Sequence, residues 1–242
     1  MKICVAQTRP FKGNIKKNID SHKKLISIAV SYLADIIVFP ELSLTGYEPE
    51  LAKGLATNQD DHIFDTFQEI SDINKITISV GMPTKISSDI LISMIIFQPN
   101  KPRQTYSKQN LHRDEFAYFN KGKHQLFLTV DNIKIAPAIC YESLVPEHSE
   151  NAFKGGAEMY IASVAKSADG VEKAFKHFSE IAGKYSIPVL MANCVGRCDN
   201  FESVGKTSIW NSKGQLAGQL NDVSEGILIM DTYKEEIVEK TA

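Results

Sequence analysis

"LFLTVDNIKIAPAICYESLVPEH", residues 126–148, packs a hairpin, a strand that stops at a thiol, and a helix start into one stretch. Two apolar β-type runs flank Asp131 and Asn132, residue types that tolerate the left-handed backbone of a tight hairpin. The second run ends at Cys140, with Glu142 and Glu147 beyond it, and Pro146 has the preset φ that suits a first helical turn. Hairpin pairing and a strand-to-helix connection within one stretch imply an α/β protein with a mixed sheet, not an all-parallel barrel.

The pattern extends in both directions. Upstream, "KICVAQT" reads as a strand, and Ile15, Ile19, Leu25, Ile26, Ala29 and Leu33 give residues 14–34 an amphipathic helical period with Asn14 as N-cap. "DIIVFPE" is a buried strand stopped by Pro40; residues 60–74 form a second helix with Ile63, Phe64, Phe67 and Ile70 on one face. "ITISVGM", "ILISMIIFQ" and "RQTYSKQ" follow as strands, the last leading into an irregular segment. Downstream come "EMYIASVA", a helix over 171–184, "IPVLMANCV", and the closing strands "KTSIWN", "QLAGQL" and "GILIMD". More than about ten strands is too many for one open sheet, so two packed sheets flanked by helices are expected. No repeat, low-complexity tract or linker interrupts the chain, which reads as a single domain over residues 1–242.

Bulk composition narrows the classes of function. The 242 residues are 43% hydrophobic and 23% charged, ordinary for a globular protein, and the net charge of −2 offers no general attraction for nucleic acid or anionic membrane. The apolar start Ile3 to Ala6 is too short for a signal peptide, and no run is long enough to span a bilayer. Four cysteines in a chain this long are no disulfide framework, so a cytoplasmic location is expected. Cys194 and Cys198 lack the second pair or nearby histidine that a zinc site needs, so no metal is expected.

Three reactive side chains stand where apolar runs end: Glu41 in "VFPELSLTGY", Lys108 in "YSKQNL" and Cys140 in "AICYES". Singly, each has a plain reading: an ordinary emerging charge, a solvated lysine, a buried thiol. Together they form a chemical set. A thiol attacks as thiolate and needs a base, a buried carboxylate with a raised pKa can serve, and a lysine can stabilise the oxyanion that results. The Tyr141 backbone N–H, at the strand-to-turn junction, would lie near the same oxyanion. His112, His124 and His148 keep a Cys-His arrangement open as the competing assignment, and Cys194 is the competing thiol, better suited to a core or site-lining position.

"FPELSLTGYEP", "YSKQNL" and "ICYESLVPE" resemble, in order and spacing, the three signature regions of the nitrilase superfamily, the carbon–nitrogen hydrolases. "ANCVG" and "VGKTSIWNSKGQ" resemble further elements of that family, so the likeness runs from the first strand to the last. The resemblance implies a four-layer αββα sandwich and a Glu-Lys-Cys triad, with Glu41 as general base and acid, Lys108 as oxyanion stabiliser and Cys140 as nucleophile. It implies amide hydrolysis without metal or organic cofactor, the in-family alternatives being nitriles and N-carbamoyl compounds. A non-catalytic binding member of the same scaffold is the alternative from another class. A second glutamate is also implied, assigned to Glu115 in "DEFAYFNKG" over Asp114 because of the spacing to Phe119 and Gly122. Tyr141, Glu142, Ala165 and Lys166 are candidates for lining or supporting the substrate site, Lys166 being either a solvated lysine or a cation that meets an anionic group. Leu144 stands where many family amidases carry an arginine, which leaves a dicarboxylate-monoamide substrate unsupported. The expected partners are a small-molecule substrate and further copies of the chain in a homodimer or larger homo-oligomer.

Overall fold

The computed structural model describes residues 1–241. Period-2 patterning separates the faces of the first strand, β1 (Lys2–Gln7): Ile3 and Val5 face one core, Cys4 and Ala6 another. Helix α1 (Ile15–Ser31) begins where the Asn14 side chain accepts from the Lys17 N–H at 3.1 Å. It stops short of the expected 34, because Leu33 takes φ 58° and lies exposed. Strand β2 (Ile36–Val38) leads into a turn, and a single 3-10 turn (Pro49–Leu51) runs into the short α2 (Ala52–Leu55). The helix expected over 60–74 divides into a 3-10 turn, His62–Phe64, capped by Asp61, and α3 (Asp65–Asn74). The long hairpin β3 (Thr77–Ile86) and β4 (Asp89–Phe97) follows, then β5 (Gln104–Ser107).

The hairpin of the opening stretch forms as β6 (Leu128–Val130) and β7 (Ile133–Ile139), with Asp131 and Asn132 at φ 48° and 63°. A 3-10 segment, Cys140–Leu144, then joins β7 to α4 (Pro146–Lys154). Beyond these lie β8 (Met159–Ser163) and α5 (Ala168–Tyr185), which starts three residues before the expected 171 because Ser167 caps it. "IPVLMANCV" divides at Asn193 into β9 (Val189–Ala192) and β10 (Val195–Cys198). β11 (Phe201–Val204), β12 (Ser208–Trp210), β13 (Leu216–Gln219), β14 (Gly226–Asp231) and the unanticipated β15 (Glu236–Thr241) complete the chain.

The strands build a seven-stranded sheet, β15-β14-β1-β2-β3-β4-β5, a six-stranded sheet, β13-β12-β9-β8-β7-β6, and the ribbon β10-β11. Each large sheet has a parallel centre, β1-β2-β3 in one and β7-β8-β9 in the other, with antiparallel flanks. Ile3, Val38, Ile92 and Met94 of the first sheet meet Ile135, Ile161, Leu190 and Ile209 of the second in a shared core. The outer face of the first sheet packs on α1 and α3 through Phe39, Leu25 and Phe67; that of the second packs on α4 and α5 through Tyr160, Ala152 and Phe178. This is the four-layer αββα sandwich. No helix is long and apolar enough to cross a membrane among the described residues.

Candidate active site

Four connections at the C-terminal ends of strands converge on one place. Glu41 sits in the turn after β2, where Leu42 has φ 49°. That turn is seated on β3: Leu44 N–H donates to the Gly81 carbonyl at 3.0 Å, and Gly81 N–H donates to Ser43 Oγ at 3.1 Å. A Cβ on Gly81 would stand 2.3 Å from Leu42 N, so the approach requires glycine. Lys108 follows β5, its N–H bonded to the Ile92 carbonyl at 2.9 Å, and its carbonyl accepts from Gly122 N–H at 2.7 Å.

Cys140 ends β7 with φ 48°, a conformation that L residues adopt only when their surroundings enforce it. The enforcing group is Glu142. Its Oε1 accepts from Ile139 N–H at 2.7 Å and Tyr106 Oη at 2.6 Å, and its Oε2 from Gln109 N–H at 2.6 Å and Asn110 N–H at 3.3 Å. One acceptor-only carboxylate thus ties the elbow after β7 to the loop carrying Lys108. Glu142 is fully buried and off the cavity, a support for the site and no part of its lining.

Lys108 Nζ donates to Glu41 Oε1 at 2.7 Å and Glu115 Oε1 at 2.6 Å, all three side chains being buried. Glu115 also accepts from Tyr47 Oη at 2.9 Å and, through Oε2, from His112 N–H at 2.7 Å. Asp114, the competing acid, is exposed beside His112 and Arg113. Burial pushes the Glu41 carboxyl above its ordinary value; the Lys108 charge opposes the rise and the Glu115 charge adds to it. Burial works against the Lys108 ammonium, but Glu41, Cys140 and Glu115 outweigh it and hold the group cationic. Glu41 Oε2 is buried without a hydrogen-bond partner, and Cys140 is among the groups that act on that carboxylate. Burial, then the Glu41 charge, push the Cys140 thiol up to about 11, while Lys166 and Lys108 pull the other way.

The thiol opens on a cavity of about 580 Å³ walled by Tyr47, Glu115, Tyr141, Leu144, Lys166 and Phe201. Ala165 lines it too, its carbonyl 3.7 Å from Cys140 Sγ. Tyr141 is on the rim, 40% exposed, edge-on to His112. The solvated reading of Lys166 does not hold, since the residue is 5% exposed. Among the described residues no histidine bonds Cys140: His112 lines the cavity but stands beside Asp114 and Tyr141, His148 is locked between Tyr106 and Tyr160 and pushed down to about 4 by burial, and His124 is exposed away from the cavity. Cys194 is buried behind the wall with Cys198, their Sγ atoms 3.6 Å apart. Tyr47, Lys173, Asp199 and Phe201 were not singled out in the sequence; for Tyr47 the signal was its place within "FPELSLTGYEP".

The carbon-nitrogen hydrolase family model matches residues 2–239. The chain is 27% identical over 238 residues to the glutamine-dependent NAD(+) synthetase of Aquifex aeolicus, covering 94% of this chain and 41% of that protein. It therefore spans about two fifths of the length of the NAD(+) synthetases it matches. It is 23% identical over 250 residues to a Staphylococcus aureus protein named hydrolase in agr operon, covering 98% of this chain and 93% of that one. Among solved structures, the NitN amidase from Neterenkonia sp. AN1 superposes with a TM-score of 0.87 at 21% identity, covering 96% of this chain and 92% of the other. A variant of the amidase from Nesterenkonia sp. AN1 in complex with butyramide gives 0.88 at 20% identity, covering 97% and 92%. Those structural likenesses carry the fold, and the family match, which leaves out only the extreme ends, carries the kinship: the chain belongs to the carbon-nitrogen hydrolase family.

Proposed function

We propose that the protein hydrolyses a small linear amide through a thioester on Cys140, with Glu41 carrying the proton and Lys108 stabilising the oxyanion. The observation that supports this most is the division of labour within one carboxylate. Glu41 Oε1 is pinned by Lys108, while Oε2, buried and without a partner, is left to take a proton. A thiol held near 11 is protonated at rest, so its deprotonation must accompany attack, which a base fixed beside it permits.

Cys140 Sγ bonds to the amide carbon as its proton passes to Glu41, and the carbonyl electrons become an oxyanion facing Lys108 Nζ and the Tyr141 N–H. Tyr141 lies in the first turn of a 3-10 segment, where backbone N–H groups have no intrahelical acceptor. Collapse breaks the C–N bond, and Glu41 gives its proton to the departing nitrogen. Water then attacks the thioester, losing a proton to Glu41; the C–S bond breaks and the proton returns to sulfur. Glu115 keeps Lys108 cationic and aimed throughout. The amidase name of the structural neighbours, one holding butyramide, supports a small amide over a nitrile.

The test is ammonia release across amides, N-carbamoyl compounds and nitriles. Amides should be turned over by the native protein and not by Cys140→Ala. Turnover of nitriles alone would reassign the substrate. Undiminished ligand binding by Cys140→Ala, with no ammonia from any class, would favour a binding protein.

A further inference from the structure

The cavity holds one buried cation with no counter-ion. Lys166 lies between β8 and α5, 5% exposed, and lines the cavity with Cys140. Its backbone is fixed: the N–H donates to Asn193 Oδ1 at 2.9 Å, and the carbonyl accepts from Ser203 Oγ at 3.0 Å and Val204 N–H at 3.2 Å. Its stem runs against the first turn of α5, where a Cβ on Gly170 would meet Lys166 Cβ at 3.3 Å. Its ammonium makes no hydrogen bond or ion pair among the described residues, in contrast to Lys108, which is clasped by two carboxylates.

The stem is buried but the ammonium is not sealed off; it reaches the cavity, where it stands as a positive charge that a ligand's negative group could neutralise. The neighbours do not neutralise it. The Cys140 thiol is neutral at rest, Glu115 is engaged by Lys108, and Asp114 stands at the exposed rim beside His112 and Arg113. Asp199 also lines the cavity, but its charge acts on Lys12 and it forms no ion pair with Lys166 among the described residues. His177, which feels the Lys166 charge, carries no negative charge of its own. Ser167 and Gly170, from the N-terminal turn of the 18-residue α5, face the same cavity, so the helix end adds its positive potential at this point.

We propose that Lys166 and the first turn of α5 form an anion subsite, so that the favoured substrate is an amide carrying its own carboxylate. This rests on the amide-hydrolase reading and narrows it. A cavity of about 580 Å³ has room for such a tail beyond the reacting carbonyl.

Two measurements test it on the intact chain. In the first, Cys140 is alkylated with iodoacetate and with iodoacetamide, which share a leaving group and differ in charge. Taking the ratio of the two rates cancels any change in thiolate fraction. The ratio should fall at least tenfold in Lys166→Met and recover in Lys166→Arg; an unchanged ratio would mean that Lys166 only tunes the thiol or the packing, and overturns the subsite. In the second, malonamate, succinamate and glutaramate are each compared with their methyl esters by ammonia release. A carboxylate preference in kcat/KM that drops tenfold in Lys166→Met supports the proposal. Cys140-dependent turnover with no such preference overturns it and leaves the hydrolase intact. An alkylation ratio that responds to Lys166, with no ammonia from any amide, upholds the anion site and sinks the hydrolase.

Discussion

At Glu41 the two oxygens of one carboxylate face different tasks, and its ionisation follows from that position. Burial raises its pKa above the ordinary 4.5, with Glu115 adding to the rise and Lys108 only partly offsetting it. The base form, needed to accept the thiol proton, therefore appears only above the ordinary carboxylate range. Glu41, Cys140 and Glu115 hold Lys108 in its cationic form, so the acid limb belongs to Glu41. The pH profile of kcat/KM should rise along an acid limb displaced upward from 4.5 and fall on the alkaline side only as the thiol titrates, near 11. In Glu41→Gln the acid limb should disappear along with most of the rate. An acid limb at or below 4.5 would show that some other group is the base.

Among the elements, the turn after β2 depends most visibly on a neighbour distant in sequence. Gly81 lets β3 pass directly under Leu42 and Pro40, with a hypothetical Cβ at 2.3 Å and 2.5 Å from their backbone atoms. Behind the turn, His22 bonds Ser43 through Nε2 at 2.9 Å and stacks on Phe39. Gly81→Ala should cost about 1–3 kcal/mol of stability by overpacking. It should also lower kcat/KM by about tenfold to a hundredfold, because the turn that aims Glu41 must move. Thermal unfolding and ammonia release check both; a stable, fully active variant would show that the turn has slack. This dependence was hidden in the sequence, where Gly81 is one residue inside an apolar run. The elbow at Cys140 was legible, because a β-type run stops there and Pro146 starts a helix. Lys166 was not, since nothing local distinguishes a buried lysine from a solvated one; its burial comes from Asn193, Ser203 and Gly170, brought in from elsewhere.

The whole molecule explains why the reactive groups were readable as a set and their surroundings were not. Glu41 and Lys108 leave one sheet, while Cys140 and Lys166 leave the other, all at C-terminal strand ends where connections gather. Each strand announced its own end, so the layers and the three reactive side chains at strand ends could be read from apolar runs, while their roles as a triad came from the family resemblance. The exposed edge strand β15 and the strand β11 could not, because their polar residues carry little burial signal, while β10 was merged with β9 because the break at Asn193 falls inside one apolar run. If the two sheets together form a covalent catalyst on Cys140, its acyl intermediate partitions between water and added hydroxylamine. A native protein turning over an amide should yield hydroxamate at the expense of acid, with the acyl mass in quenched samples on the peptide containing Cys140. Hydroxamate and acylated peptide should both vanish in Cys140→Ala. Continued ammonia release by that variant, or an acyl group found on Cys194, would rule out Cys140 as the nucleophile.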